Sequence, residues 1–209
     1  MIPVKVLAVR YLANAAESLC KGLGLPKGYP SLAMLTTDCD DATYIALDAA
    51  TKAADVRVCY GRSFYAGASN ASTPNAGEVI GILAGPTPGT VRSGMEAALS
   101  ALETVGFEQA GDVPYLAYTV SRSGTFLAKE AGVPEGSALA YLIAPPLESM
   151  YALDRALKAA DVKLCKLYSP PSETNFGGGI LSGSQSACYA ACAAFAEAVK
   201  EVAENPVER

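Results

Sequence analysis

The sequence predicts an α+β fold made of two copies of one small sandwich. Three observations carry the prediction. Residues 46–59 read Ala46-Leu47-Asp48-x-Ala50-x-Lys52-Ala53-Ala54-Asp55-Val56-x-x-Cys59, and residues 152–165 repeat ten of the fourteen at an offset of 106. Gly24-Leu25-Pro26-Lys27-Gly28 is answered by Gly132-Val133-Pro134-Glu135-Gly136, and Gly81-Ile82-Leu83-Ala84-Gly85 by Gly179-Ile180-Leu181-Ser182-Gly183. Strand-length apolar runs alternate with helical patterns in the same order in both halves, which places one sheet and its helices in each. The copies are assigned to residues 1–110 and 111–209.

The elements follow in order. Val4–Val9 reads as a strand, and Asn14–Leu23 as a helix stopped by Gly24 and Pro26. Leu32–Thr37 is a strand. A helix runs from about Asp41 to Ala54, with Asp38, Asp40 or Asp41 as its cap. Strand Val56–Tyr60 precedes a loop, Gly61–Gly77, and strand Glu78–Ala84 follows it. Thr87-Pro88 opens a helix reaching Glu103, with a hydroxyl cap and proline at the first helical position. The second half gives strand Leu116–Val120, helix Ser123–Ala131, strand Ala138–Ala144, helix Leu147–Ala160 and strand Val162–Tyr168. Loop Ser169–Gly178 leads to strand Gly179–Ser182. Ser184 or Ser186 caps the last helix, which ends near Ala203. Met150, Leu153 and Leu157 mark one apolar helix stripe, so the helices pack on a sheet of largely antiparallel strands.

The repeat offset is 106 before the first loop and 98 after it, so the first copy holds eight extra residues there. Gly61–Gly77 is rich in Gly, Ser, Asn, Ala and Pro, the composition of a loop. Structureless loops of that length inside compact domains are usually functional.

Composition excludes several function classes. Half of the 209 residues are apolar, 18% are charged and the net charge is −5. So little charge on a small domain implies surface covered by a partner. No basic run exists to meet a phosphate backbone, so nucleic acid is not expected. No apolar run reaches membrane-spanning length and no signal peptide opens the chain, so a cytoplasmic protein is expected. The chain has no histidine, which removes Ser/His and Cys/His nucleophiles and the usual zinc ligand. No metal is expected. The six cysteines form no CxxC pair, and Cys188 and Cys192, four apart on a helix, read as small residues of an Ala-rich packing face.

The order strand, helix ending A-x-KAADV, strand, loop, GIL-x-G, helix resembles the bacterial microcompartment shell domain. Both copies carry both signature pieces. A strand and helix precede the first such unit, so the order is circularly permuted. That permuted tandem is similar to the L-type shell proteins of ethanolamine-utilisation compartments. Tyr60-Gly61-Arg62-Ser63, Ala144-Pro145-Pro146-Leu147-Glu148, Pro170-Pro171-Ser172-Glu173-Thr174-Asn175 and Gly183-Ser184-Gln185-x-Ala187-Cys188 strengthen the likeness. The resemblance implies a ferredoxin-like sandwich in each half and a homotrimer that imitates a hexamer. It implies tiling beside other shell proteins, pores, and no catalysis. It also implies a pathway with a cobalamin-dependent lyase. No covalently bound cofactor is expected; weak binding or passage of cobalamin through a wide central opening is. A duplicated chain can fill two of six ring positions, so three chains close the ring.

Each candidate residue has a plain reading beside its functional one. Asp38, Asp40 and Asp41 can all serve the helix start, but three acids in four residues exceed one cap. The resemblance places a carboxylate matching Asp40, and a glutamate matching Glu78, near a small pore. Two carboxylates suit an ammonium group, with its positive charge and three donors. Ethanolamine is the expected ligand, held by Asp40, Asp41 and Glu78 at one end. The Phe107 backbone and the Thr174 hydroxyl are expected at the other, unless Phe107 is core and Thr174 serves a turn. Tyr60, Phe64, Tyr65, Asn70, Asn75, Asn175 and Phe176 are assigned to gating loops, where the aromatics plug an opening or pin a loop. Pro170-Pro171 stiffens the second loop, while Gly177-Gly178-Gly179 permits a hinge. The rival class is an enzyme or ligand sensor on a duplicated scaffold, with Asp40, Asp41 and Glu78 as acid–base groups.

Overall fold

Strand Ala138–Ala144 is apolar and buried throughout, and strand Ser31–Thr37 is apolar over Leu32–Leu35 and buried at five of its seven residues. A strand covered on both faces belongs in the middle of a sheet with layers on each side. The computed structural model describes residues 1–64, 78–170 and 175–207 and places each of these strands centrally. The chain forms two compact units. One holds Val4–Val105 with Gly124–Leu127; the other holds Met1–Pro3, Gly106–Ser123 and Ala128–Arg209.

In the first unit the elements are β1 (Val6–Leu12), α1 (Glu17–Gly22), β2 (Ser31–Thr37), α2 (Asp40–Ala53), β3 (Arg57–Phe64), β4 (Glu78–Gly85) and α3 (Pro88–Leu102). The sheet order is β1-β2-β4-β3, all neighbours antiparallel. Helices α2 and α3 pack together on the sheet. Leu32, Ile82 and Ala84 gather with Ala15, Cys20, Leu23 and Leu25 from the α1 region in a second cluster.

The second unit adds β5 (Glu108–Ala110), β6 (Val113–Val120), β7 (Ala138–Ala144), α5 (Pro146–Ala159), β8 (Val162–Tyr168), β9 (Gly177–Gly183) and α6 (Gln185–Glu204). Between β6 and β7 runs α4 (Thr125–Ala131), whose first three residues count with the first unit. The order β6-β7-β9-β8 repeats that of the first unit strand for strand, with β5 added at the edge of β6. The core is lined by Leu142, Leu153, Leu181 and Phe195, with Cys188 and Cys192 in the packing face expected for them.

The repeat extends to local geometry. Both copies carry a bulge at the shared cysteine, Cys59 in β3 and Cys165 in β8. The Gly-x-Pro-x-Gly turns match bond for bond. Leu25 N donates to Cys20 O as Val133 N does to Ala128 O, and Tyr29 N to Pro26 O as Ser137 N does to Pro134 O. Their glycines share positive φ, 62° and 87° against 65° and 86°. Gly85 and Gly183 close each GIL-x-G segment, and a Cβ there would press on Val91 or on the Asp161 carbonyl.

Several boundaries differ from the sequence reading. Helix α1 starts at Glu17 rather than Asn14, since Ala15 N donates to Pro30 O and the backbone before Ala16 is held outside the helix. Strand β3 runs on to Phe64, held by pairing through Phe64–Glu78, so Gly61–Phe64 is ladder and not loop. Strand β5 has no apolar run and exists by pairing with β6. The stripe expected on α5 forms: Leu153 is buried, and Met150 and Leu157 are half-buried against the same core. The caps Thr87 and Ser184 form as expected, accepting the amides of Thr90 and Ala187.

Candidate functional site

The acidic turn leads from β2 into α2. The N-cap of α2 is Cys39, without a side-chain cap bond, so none of the three aspartates fills that position. Thr37 and Thr43 hold the turn instead. Their hydroxyls lie 2.6 Å apart, the Thr43 hydroxyl donates to Cys39 O at 2.7 Å, and Thr37 Oγ1 accepts from Cys39 N at 3.2 Å. Asp38, Asp40 and Asp41 are all buried. Buried carboxyls require donors, and backbone amides supply some. Asp38 Oδ1 accepts from Lys5 N at 2.8 Å, and Asp40 Oδ1 from Asp41 N at 2.9 Å. Asp40 and Asp41 also sit in the first turn of α2, where the helix dipole favours negative charge.

Glu78 opens β4 opposite Phe64, and its neighbour Val79 pairs with Thr37 at the end of β2. The β2–α2 turn and the start of β4 therefore share one end of the first unit's sheet. Within that unit the structure brings Asp38, Asp40, Asp41 and the Glu78 backbone to one place.

Phe107 belongs to the second unit and is wholly buried, so the core reading describes its side chain. Its ring tilts at 36° to that of Phe176, centroids 5.7 Å apart. Its carbonyl accepts from Ile2 N at 2.6 Å, which leaves one lone pair for any other donor. Phe176 is buried just before β9, a packed position rather than a free loop tip. Asn175 is exposed with φ of 64°, the left-handed region that asparagine tolerates. Tyr60 pairs with Ile82 inside β3 and is exposed there; Phe64 ends the same strand. Tyr65, Asn70, Asn75 and Thr174 lie outside the described residues.

Three thiols, Cys39, Cys59 and Cys192, are poor nucleophiles. Burial pushes Cys39 well above the usual thiol range, and the neighbouring aspartates push it further. Burial pushes Cys59 and Cys192 up to about 11. A thiol that stays protonated near neutrality neither attacks nor binds metal readily. Among the described residues no three Cys, Asp or Glu side chains cluster as metal ligands, and no helix is long and apolar enough to cross a membrane.

One residue escaped the sequence reading. Asp48, on α2, is fully buried. Its Oδ2 accepts from Gly124 N at 2.8 Å and its Oδ1 from Leu127 N at 2.9 Å, with Lys52 Nζ 3.3 Å from Oδ2. It holds the start of α4 against α2, helped by Thr125 N donating to Thr51 Oγ1 at 3.1 Å. The repeat gave no signal, because Asp154 and Lys158 copy Asp48 and Lys52 in sequence.

The duplicated sheet with its permuted opening is matched in known proteins. The BMC domain family pattern covers residues 31–114. It begins at β2 and ends inside β6, so β1 and α1 precede it, as permutation requires. Bacterial microcompartment shell protein EutL of Clostridium perfringens is 58% identical over 211 residues, 99% of this chain and 97% of that protein. The chain belongs to the EutL family of bacterial microcompartment shell proteins. EutL of Salmonella typhimurium is 46% identical, covering 100% of this chain and 97% of its own. The crystal structure of ethanolamine utilization protein EutL from Leptotrichia buccalis superposes with a TM-score of 0.94 at 60% identity, covering 100% of this chain and 98% of that one. Each unit is accordingly one of two tandem, permuted shell domains.

Proposed function

We propose that this chain is a structural tile in the shell of an ethanolamine-utilising bacterial microcompartment, and that it passes small molecules without converting them. The observation that carries this is the second unit's repetition of the first, in sheet order, bulge and turn, along a chain whose relatives are shell proteins over their full length. Three copies supply six such units and close a ring of pseudo-six-fold symmetry. Flat rings with low-charge edges tile beside one another and beside other shell proteins. The absence of histidine and the protonated state of the buried thiols favour transport over catalysis.

The buried acids at the β2–α2 turn, with Glu78, offer the negative pole that the ammonium of ethanolamine needs. Asp40, Asp41 and Glu78 are the proposed ligands. Residues 65–77, which separate Glu78 from β3, are the proposed gate of a wider central opening, where cobalamin binds weakly or passes. The tile reading is tested by electron microscopy of the purified protein. Extended sheets or tubes with a hexagonal repeat are expected. Discrete particles that never associate, at any salt or concentration, overturn it.

A further inference from the structure

One hydroxyl at the acidic end of the first unit's sheet has no partner of its own. Ser63 sits in β3 opposite Val79, and its Oγ is shielded from solvent with no hydrogen-bond partner among the described residues. A shielded polar atom costs free energy until something bonds it. The threonine hydroxyls at this end are already taken, since Thr37 and Thr43 bond each other and the Cys39 backbone.

The strand fixes where that hydroxyl points. Side chains two apart in a strand share a face, so Ser63 stands on the face of Gly61. That face carries α2, because a Cβ on Gly61 would meet the Tyr44 ring at 3.5 Å, and one on Gly81, its cross-strand partner, would strike Leu47. Strands β2 and β3 both run antiparallel to β4 and hence parallel to each other. Helix α2 joins the end of β2 to the start of β3, so it runs back against both, and its N-terminus lies where β3 ends. From Gly61 to Ser63 the strand advances about 6.6 Å; from Tyr44 back to Asp41 and Asp40 the helix covers about 4.5–6 Å. Ser63 therefore comes level with the acidic first turn, where Asp40 and Asp41 are 5% and 6% exposed.

The second copy supplies the contrast. The repeat aligns Ser63 with Ser169, and Asp40 and Asp41 with Pro146 and Leu147. Where the acids are missing the serine is exposed; where they are present its hydroxyl is shielded. Only the first copy sets a shielded hydroxyl beside two carboxylates. A protonated primary amine fits that set, with one positive charge for the carboxylates and three N–H donors to share out. We infer that Ser63 is a further ligand residue of the acidic turn, its hydroxyl accepting one N–H of a primary ammonium whose charge Asp40 and Asp41 balance. Each N-methyl group removes a donor and adds bulk, so the site selects amines that keep all three N–H groups. This rests on the proposed binding of ethanolamine at this turn and defines its selectivity.

The test is calorimetry with ethanolamine and with N,N-dimethylethanolamine, on the native protein, Ser63→Ala and Asp40→Asn. Ser63→Ala is expected to bind ethanolamine about tenfold more weakly than the native protein does. N,N-dimethylethanolamine keeps the charge and the alcohol but only one N–H, and is expected to bind the native protein and Ser63→Ala within about twofold of each other. Ligand-free Ser63→Ala is expected to keep or raise its Tm, since alanine removes a shielded hydroxyl that lacks a partner. Equal weakening of both amines, or a Tm that falls together with binding, would give Ser63 a packing role and overturn the inference. Ethanolamine bound as tightly by Ser63→Ala as by the native protein, yet more weakly by Asp40→Asn, would remove Ser63 and leave the acidic site standing. No binding of either amine to the native protein at high millimolar concentration would remove the site, and this inference with it.

Discussion

Replacing Asp48 with alanine is expected to release the start of α4 from α2. The carboxylate accepts from two backbone amides, Gly124 N at 2.8 Å and Leu127 N at 2.9 Å, and is sealed from water. Alanine offers no acceptor, and each buried amide left unsatisfied costs about 1–3 kcal/mol. Lys52 is one-third exposed and turns back to water, so its pairing adds less than about 1 kcal/mol. The loss comes to about 3–5 kcal/mol, mostly from the two amides. Asparagine keeps one acceptor but points an amide group at one N–H, and should fall between alanine and the native residue. At about 1.4 kcal/mol per factor of ten, hydrogen exchange at Gly124 and Leu127 should accelerate by about two to three and a half decades in Asp48→Ala. Exchange in the centre of β7 should change by less. The assay is amide exchange read by mass spectrometry or NMR at fixed chain concentration, since association would add to apparent stability. Unaltered exchange at Gly124 and Leu127 would refute the reasoning, because it would mean that the carboxylate bonds contribute nothing to the docking.

Further predictions follow from single sites. Gly178→Ala should abolish soluble folding or lower Tm by well over 5 °C, as φ is 144° and a Cβ would overlap the Leu142 carbonyl; a Tm within 2 °C of the native value would contradict that geometry. Cys59 and Cys192 are pushed up to about 11 from 9, so their protonated forms favour folding fully below pH 9 and that contribution is lost as pH rises through 11. Denaturant midpoints should decline across that window, and less steeply in Cys192→Ala, whose identical decline would exclude the thiol as a cause. Ethanolamine has four heavy atoms, so at about −1.5 kcal/mol per atom its affinity cannot exceed tens of micromolar, and solvent access moves it toward about millimolar. Calorimetry should show that affinity weakened at least fivefold in Asp40→Asn and Glu78→Gln; equal binding in all three proteins would remove both residues from the site.

How much the sequence revealed depends on what each feature needs from elsewhere in the chain. Strands Ala138–Ala144 and Val162–Tyr168 were legible to the residue, because apolar runs bounded by turns need little outside information. The caps at Thr87 and Ser184 were legible because a cap is local chemistry. Strand β5 and the end of β3 were not, since pairing partners alone make Glu108–Ala110 and Gly61–Phe64 extended. The acidic turn was found as a cluster, but its cap was misassigned. The Thr37 and Thr43 hydroxyls, six residues apart, bind the turn and leave Cys39 at the N-cap. Asp48 was invisible for a different reason. Its motif matches that of Asp154, and only the segment that meets it, Gly124–Leu127, distinguishes a buried tether from an exposed pair.

The claim beneath the rest is that this chain holds two of six equivalent places in a closed ring. Sedimentation equilibrium over a wide concentration range tests it most directly. The account predicts a species of three times the 21.5 kDa chain mass, persisting on dilution to low micromolar. A chain that stays monomeric at every concentration, or stops at two copies, would contradict it.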